Sequence, residues 1–164
     1  MKKAIYAGSF DPITNGHIDI IKRGCKVFDK IYVVLMENTK KVPLFSVEER
    51  KNLIREATKE MSDKVEVDVY TGLIADYCNI KDTYILIRGL RASMDFEYEF
   101  QMATINKHLN EEVESLFFVA RNEYTFISSS NIKQVAEFGG DVSAMVPECV
   151  EKALIEKYKG VKSK

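Results

Sequence analysis

Two kinds of apolar pattern alternate along the chain. Ala4-Ile5-Tyr6-Ala7 and Ile31-Tyr32-Val33-Val34-Leu35-Met36 are short unbroken runs, the pattern of strands buried on both faces of a sheet. Between them Ile18, Ile21, Cys25 and Phe28 recur at steps of three and four, marking one face of a helix that crosses to a parallel neighbour. Ser46 followed by Glu49 predicts a capping box that opens a charged helix, with Val47, Leu53, Ile54, Ala57 and Met61 on its apolar side. Residues 65–70 alternate like a strand, 73–78 read as a short helix, and 84–87 as another buried strand ending at Arg88-Gly89. A long helix over 94–109, a fifth strand over 116–119 and helices over 131–138 and 147–158 complete the series. Pro147 suits the first turn of the last helix and Gly160 its stop.

This alternation predicts an α/β fold: a doubly wound, Rossmann-like, five-stranded parallel sheet flanked by helices, with its ligand crevice at the carboxyl ends of the strands. With no internal repeat or linker, residues 1–160 are expected to form one domain, leaving 161–164 as a short polar tail.

Composition narrows the function without naming it. Hydrophobic residues at 46% and charged residues at 30% suit a packed core under a solvated surface rather than disorder. The 24 basic and 25 acidic side chains give a net charge of −1, so the molecule as a whole does not attract a polyanion, and nucleic acid is not expected as a partner. An anionic ligand must instead be held by particular loops. Cys25, Cys78 and Cys149 are far apart and form no C-x-x-C pair, which argues for reduced thiols rather than zinc ligands or a disulfide framework. The basic start Met1-Lys2-Lys3 soon meets Gly8 and Asp11, leaving no room for a signal-peptide core, and no apolar run approaches a membrane span of about 18 residues. A soluble cytoplasmic protein is expected.

The polar motifs gather just after the predicted strands. After the first comes Gly8-Ser9-Phe10-Asp11-Pro12-Ile13-Thr14-Asn15-Gly16-His17, where Thr14 or Asn15 can cap the next helix and His17 falls in its first turn. A histidine there adds a donor to the free N–H groups of a helix start, a combination suited to phosphate oxygens. After the fourth strand come Arg88-Gly89-Leu90-Arg91 and then Asp95-Phe96-Glu97-Tyr98-Glu99. The two arginines can converge on one anion. After the fifth comes Tyr124-Thr125-Phe126-Ile127-Ser128-Ser129-Ser130-Asn131, three hydroxyls ahead of a helix.

The Thr14-Asn15-Gly16-His17 segment resembles the H/T-x-G-H signature of the nucleotidyltransferase superfamily. Taken with I-R-G-L-R-A, D-F-E-Y-E and I-S-S-S in this order, nearly the whole chain closely resembles the bacterial phosphopantetheine adenylyltransferase family. The loop Lys40-Lys41-Val42-Pro43-Leu44-Phe45 fits the same family. Ser9 stands where a threonine is common, keeping the hydroxyl, and Tyr124 where a tryptophan can occur, keeping an aromatic ring. The resemblance implies transfer of AMP from ATP to 4′-phosphopantetheine, giving dephospho-coenzyme A and pyrophosphate. It assigns His17 to transition-state stabilisation, and Ser9, Phe10, His17, Gly89, Leu90, Arg91, Glu99 and Tyr124, Thr125, Phe126, Ile127, Ser128, Ser129, Ser130 to ATP. It assigns Ser9, Lys41, Ile74 and Arg88 to phosphopantetheine. It also implies Mg²⁺ carried in with ATP, without a named protein ligand, and a homohexamer, for which apolar residues such as Phe96, Phe100 and Met102 are available.

The implied nucleophile is a phosphate monoester whose second pKa is about 6, so it is largely ionised at neutral pH and needs no general base. Catalysis then rests on positioning and on stabilising charge at the α-phosphate and pyrophosphate. The alternatives are another adenylyl- or cytidylyltransferase of the superfamily, acting on nicotinate mononucleotide or glycerol phosphate, and a non-catalytic nucleotide-binding module. A nicotinamide-dependent dehydrogenase is disfavoured because no G-x-G-x-x-G follows the first strand.

Overall fold

The computed structural model describes residues 1–37, 42–91 and 93–159. Five parallel strands form one sheet: β1 (Lys3–Gly8), β2 (Lys30–Met36), β3 (Val65–Tyr70), β4 (Ile85–Leu90) and β5 (Glu114–Val119), in the order β3-β2-β1-β4-β5. They alternate with α1 (Asn15–Val27), α2 (Val47–Ala57), α3 (Ile74–Lys81) and α4 (Ser93–Leu109), followed by α5 (Ser129–Glu137) and α6 (Glu148–Lys159). The expected doubly wound α/β architecture is what the chain adopts.

Period-two geometry explains the unbroken apolar runs, because successive side chains of a central strand enter different cores. From β1, Ala4 and Tyr6 join a cluster with Ile18 and Ile21 of α1, Ile54 of α2, Ile132 of α5 and Leu154 of α6. Ile5 and Ala7 turn to the opposite face, against Tyr77 and Cys78 of α3. Each fully buried branched aliphatic side chain contributes roughly 1.5–3 kcal/mol. The first crossover packs so closely that a Cβ on Gly24 of α1 would lie 2.7 Å from Ile31 Cδ1. Gly24→Ala would therefore force the Ile31 side chain or the helix to shift.

Some element ends differ from the sequence pattern. Arg88 and Gly89, expected in the turn after the fourth strand, lie within β4, where they align with Phe117 and Phe118 of β5. Pairing with the edge strand carries β4 on to Leu90 after its apolar run has stopped. The sixth helix starts at Glu148 rather than at Pro147, whose carbonyl accepts from the Val150 and Glu151 N–H groups. Gly160 lies outside the described residues. The thiols of Cys25, Cys78 and Cys149 are free, with Cys78 buried. Among the described residues no helix is long and apolar enough to cross a membrane.

The sheet order reverses between β1 and β4, so the loops leaving these neighbours run to opposite sides and open a crevice at their carboxyl ends. The motifs that follow β1, β4 and β5 all reach this edge.

Candidate active site

Gly8 ends β1, where a Cβ would press on the Phe10 ring at 3.1 Å. Phe10 takes a left-handed backbone (φ 44) and buries its ring edge-on to Tyr6 and His17, with centroids 5.5 and 5.1 Å away. A non-glycine residue held at positive φ costs about 1–3 kcal/mol and marks a turn over-determined by its surroundings. Part of that hold is Arg50, a buried side chain of α2 that donates to the Ser9 carbonyl at 2.9 Å. Asp11 supplies more. Its carboxylate accepts from the Leu44 and Phe45 N–H groups at 3.0 Å each and pairs with Lys133 Nζ at 2.6 Å. Burial would raise the Asp11 pKa, but Lys133 and the two N–H donors together hold it below the ordinary carboxylate value.

The turn delivers Thr14 to the N-cap of α1. Its hydroxyl accepts from the His17 N–H at 3.3 Å, while its own N–H donates to His17 Nδ1 at 3.0 Å. The imidazole thus takes the place that Glu or Gln fills in a usual capping box. With Nδ1 accepting, a neutral ring carries its proton on Nε2. The ring is kept neutral: burial, with Arg91 and Arg88 adding to it, lowers the His17 pKa to about 4. His17 is therefore a neutral Nε2–H donor at pH 7.

A cavity of about 300 Å³ opens beside it, between β1, β4 and the starts of α1 and α5. Two helix N-termini face this space, each with free N–H groups and partial positive charge suited to anions. Ser128 caps α5 by accepting from the Asn131 N–H at 3.1 Å, and the Ser129 hydroxyl donates to the Pro12 carbonyl at 2.8 Å, locking α5 to the turn after β1. Arg91 Nη1 donates to the Ile127 carbonyl at 2.8 Å, while Asp95 holds its Nε at 2.9 Å. The guanidinium thus braces the loop before α5.

Of the residues expected around ATP, Ser9, Phe10, His17, Gly89, Arg91, Glu99, Tyr124, Ile127 and Ser128 to Ser130 line this cavity. Leu90, Thr125 and Phe126 do not. Leu90 ends β4, the Thr125 hydroxyl turns back to the Arg121 carbonyl, and Phe126 is 85% exposed. Ile74 lines a second cavity of about 300 Å³ between α3 and α4. Arg88 lines both, as do Gly8 and Glu99. Lys41 lies outside the described residues. Tyr6 and Ile20 also line the first cavity, and Leu73, Met102 and Asn106 the second. Sequence reasoning assigned none of these five a site role. Tyr6 read there simply as a residue of a buried strand, and Met102 as an apolar helix residue available for self-association.

The sequence from residue 5 to residue 135 matches the model of the cytidylyltransferase-like family. The chain belongs to the cytidylyltransferase-like family. Its enzyme type is accordingly a nucleotidyltransferase, in agreement with the T-x-G-H turn. Among solved structures, this family member is similar to a protein of Vibrio parahaemolyticus provisionally described as a nicotinate-nucleotide adenylyltransferase. They share 20% identity and a TM-score of 0.69 over 96% of this chain and 95% of that one. It also resembles Plasmodium falciparum nicotinic acid mononucleotide adenylyltransferase complexed with APC, at 15% identity and a TM-score of 0.68 over 94% of each chain. The same Plasmodium enzyme complexed with NaAD gives 14% identity and a TM-score of 0.67, over 95% of this chain and 96% of that one. These similarities establish a shared fold.

Proposed function

We propose that this nucleotidyltransferase moves the AMP moiety of ATP to 4′-phosphopantetheine, forming dephospho-coenzyme A and pyrophosphate. The supporting observation is the second cavity. Leu73, Ile74, Met102 and Leu109 give it apolar walls, and it meets the first at Gly8, Arg88 and Glu99. A phosphate at that junction with a long, largely uncharged arm in the apolar space fits this shape. The family resemblance of the I-R-G-L-R-A and D-F-E-Y-E segments points the same way.

In this reading an acceptor phosphate oxygen attacks the α-phosphorus of ATP, and the bond from that phosphorus to the pyrophosphate oxygen breaks. The nucleophile arrives ionised, so His17 need not remove a proton. Its Nε2–H can donate to the α-phosphate as charge grows, in a site whose donors are fixed beforehand. Ser9, Gly89, Arg91, Tyr124, Ile127 and Ser128 to Ser130 are proposed to surround ATP, and Lys41, Ile74 and Arg88 the acceptor. Mg²⁺ is proposed to enter with ATP. Among the described residues the one acidic side chain lining both cavities is Glu99, and Arg88 occupies both its oxygens. The cation's oxygen ligands would therefore come from phosphates.

A homohexamer in the cytoplasm completes the proposal. Exposed Phe96 and Phe100 on α4, with Leu116 and Val119 on the edge strand β5, offer apolar surface for self-association. A mass near six times 18.8 kDa by light scattering would support it, and a monomer would oppose it.

The second reading, adenylylation of nicotinate mononucleotide, is favoured by the activity named for the similar Vibrio and Plasmodium structures. Initial rates of pyrophosphate release from ATP and Mg²⁺ with phosphopantetheine, nicotinate mononucleotide or glycerol phosphate separate the readings. The expected result is a kcat/KM at least tenfold higher for phosphopantetheine. Release with nicotinate mononucleotide alone would replace the proposal with the second reading.

A further inference from the structure

Arg88 carries five N–H groups, one on Nε and two on each terminal nitrogen. Three are already committed: Nε and Nη2 donate to the two oxygens of Glu99 at 2.6 and 2.7 Å, and Nη1 donates to the Ala7 carbonyl at 2.6 Å. One N–H on each terminal nitrogen remains for a ligand. Glu99 engages the Nε edge of the planar group side-on, and Ala7 fixes a third point, so three contacts define its plane and direction. The Glu99 side chain is only 12% exposed, and each oxygen already accepts a charge-assisted bond. This arrangement is a clamp on Arg88 more than an open ligand for a nucleotide. It ties α4, which walls the second cavity, to β4, which carries Arg88 to the junction of the two cavities.

We infer that Glu99 is a positioning residue, which aims the uncommitted N–H groups of Arg88 at the attacking phosphate and offsets the charge of that guanidinium before the phosphate arrives. This rests on the proposed reaction and goes beyond it, because the family resemblance places Glu99 on ATP. Two consequences follow with different signs. Loss of the clamp misdirects Arg88, and a small misplacement of a positioning group can cost about 100-fold in the chemical step. Loss of the negative charge leaves Arg88 uncompensated, so ground-state affinity for anions does not fall. A residue that merely supports the fold would not separate rate from affinity in this way.

The test is a double-mutant cycle on Glu99→Gln and Arg88→Ala, with folding checked by thermal melting. The acceptor is whichever of phosphopantetheine and nicotinate mononucleotide the parent turns over. Glu99→Gln is expected to slow single-turnover transfer about 10- to 100-fold with both substrates saturating, while ATP and acceptor dissociation constants stay within threefold or tighten. In the Arg88→Ala background the second change should alter the rate less than twofold. A selective loss of ATP affinity of tenfold or more would overturn the inference, as would a parental rate for Glu99→Gln or a further tenfold loss in the Arg88→Ala background. Glu99→Asp, which keeps the charge but withdraws the carboxylate by one methylene, replaces Glu99→Gln in the cycle if the latter does not fold, and its expected rate effect is the same. A parent that uses only nicotinate mononucleotide defeats the proposed acceptor and leaves the cycle readable.

Discussion

Acid should weaken this fold through His17 in a way one substitution can isolate. Burial first, then Arg91 and Arg88, lowers the His17 pKa from 6.5 to about 4. Between these values the unfolded chain binds a proton that the native state does not, so stability is lost as pH falls from about 6.5 towards 4 and levels off below that. Each pH unit of separation is worth about 1.4 kcal/mol. Integrating from pH 7 to pH 4.5 gives a loss of about 2–3 kcal/mol from this residue alone. Urea unfolding of the parent and His17→Gln at pH 7.0, 5.5 and 4.5 measures it, because other acid-sensitive groups are common to both. The parent should lose about 2–3 kcal/mol more than the variant between pH 7.0 and 4.5. Parallel pH curves for the two proteins would refute the half-buried, neutral imidazole and the Nε2–H donor derived from it.

Three further outcomes are expected. His17→Ala should lower kcat about 100-fold or more while ATP affinity changes only a few-fold, since the donor matters most as charge builds; turnover close to that of the parent in a folded variant would exclude His17 from catalysis. Ile74→Trp should fill the apolar cavity and raise the phosphopantetheine KM at least tenfold, leaving ATP affinity in a binding titration unchanged; an unaffected KM would move the acceptor arm elsewhere. Asp11→Ala strips Lys133 and the Leu44 and Phe45 N–H groups of their shared acceptor, and urea unfolding should show a loss of about 3–5 kcal/mol. A loss below about 1 kcal/mol would mean that solvent satisfies those groups.

The fold was legible because its signals are local. The runs around Ile5 and Val33 are apolar throughout since both sheet faces are covered, and the Ser46 and Glu49 pair forms the capping box its spacing predicts. The turn after β1 was legible for the same reason, with Thr14 and His17 three residues apart on one helix start. The wiring between segments was not. Asp11 meets Lys133 across 122 positions, and Arg50 reaches the Ser9 carbonyl across 41. Neither distance leaves a periodic trace. Arg88 and Glu99, expected on different substrates, clasp each other because α4 folds back across β4. Thr125 and Phe126 belong to a motif that points to ATP, yet the turn between Asn122 and Tyr124 directs their side chains away from the cavity lining.

The central claim, that the acceptor is phosphopantetheine, is tested most directly by competition. Equimolar phosphopantetheine and nicotinate mononucleotide are incubated in one vessel with ATP, Mg²⁺ and limiting enzyme, and the products are resolved by mass spectrometry before a tenth of either acceptor is consumed. Dephospho-coenzyme A should exceed nicotinate adenine dinucleotide at least tenfold. Nicotinate adenine dinucleotide as the main product would contradict the account.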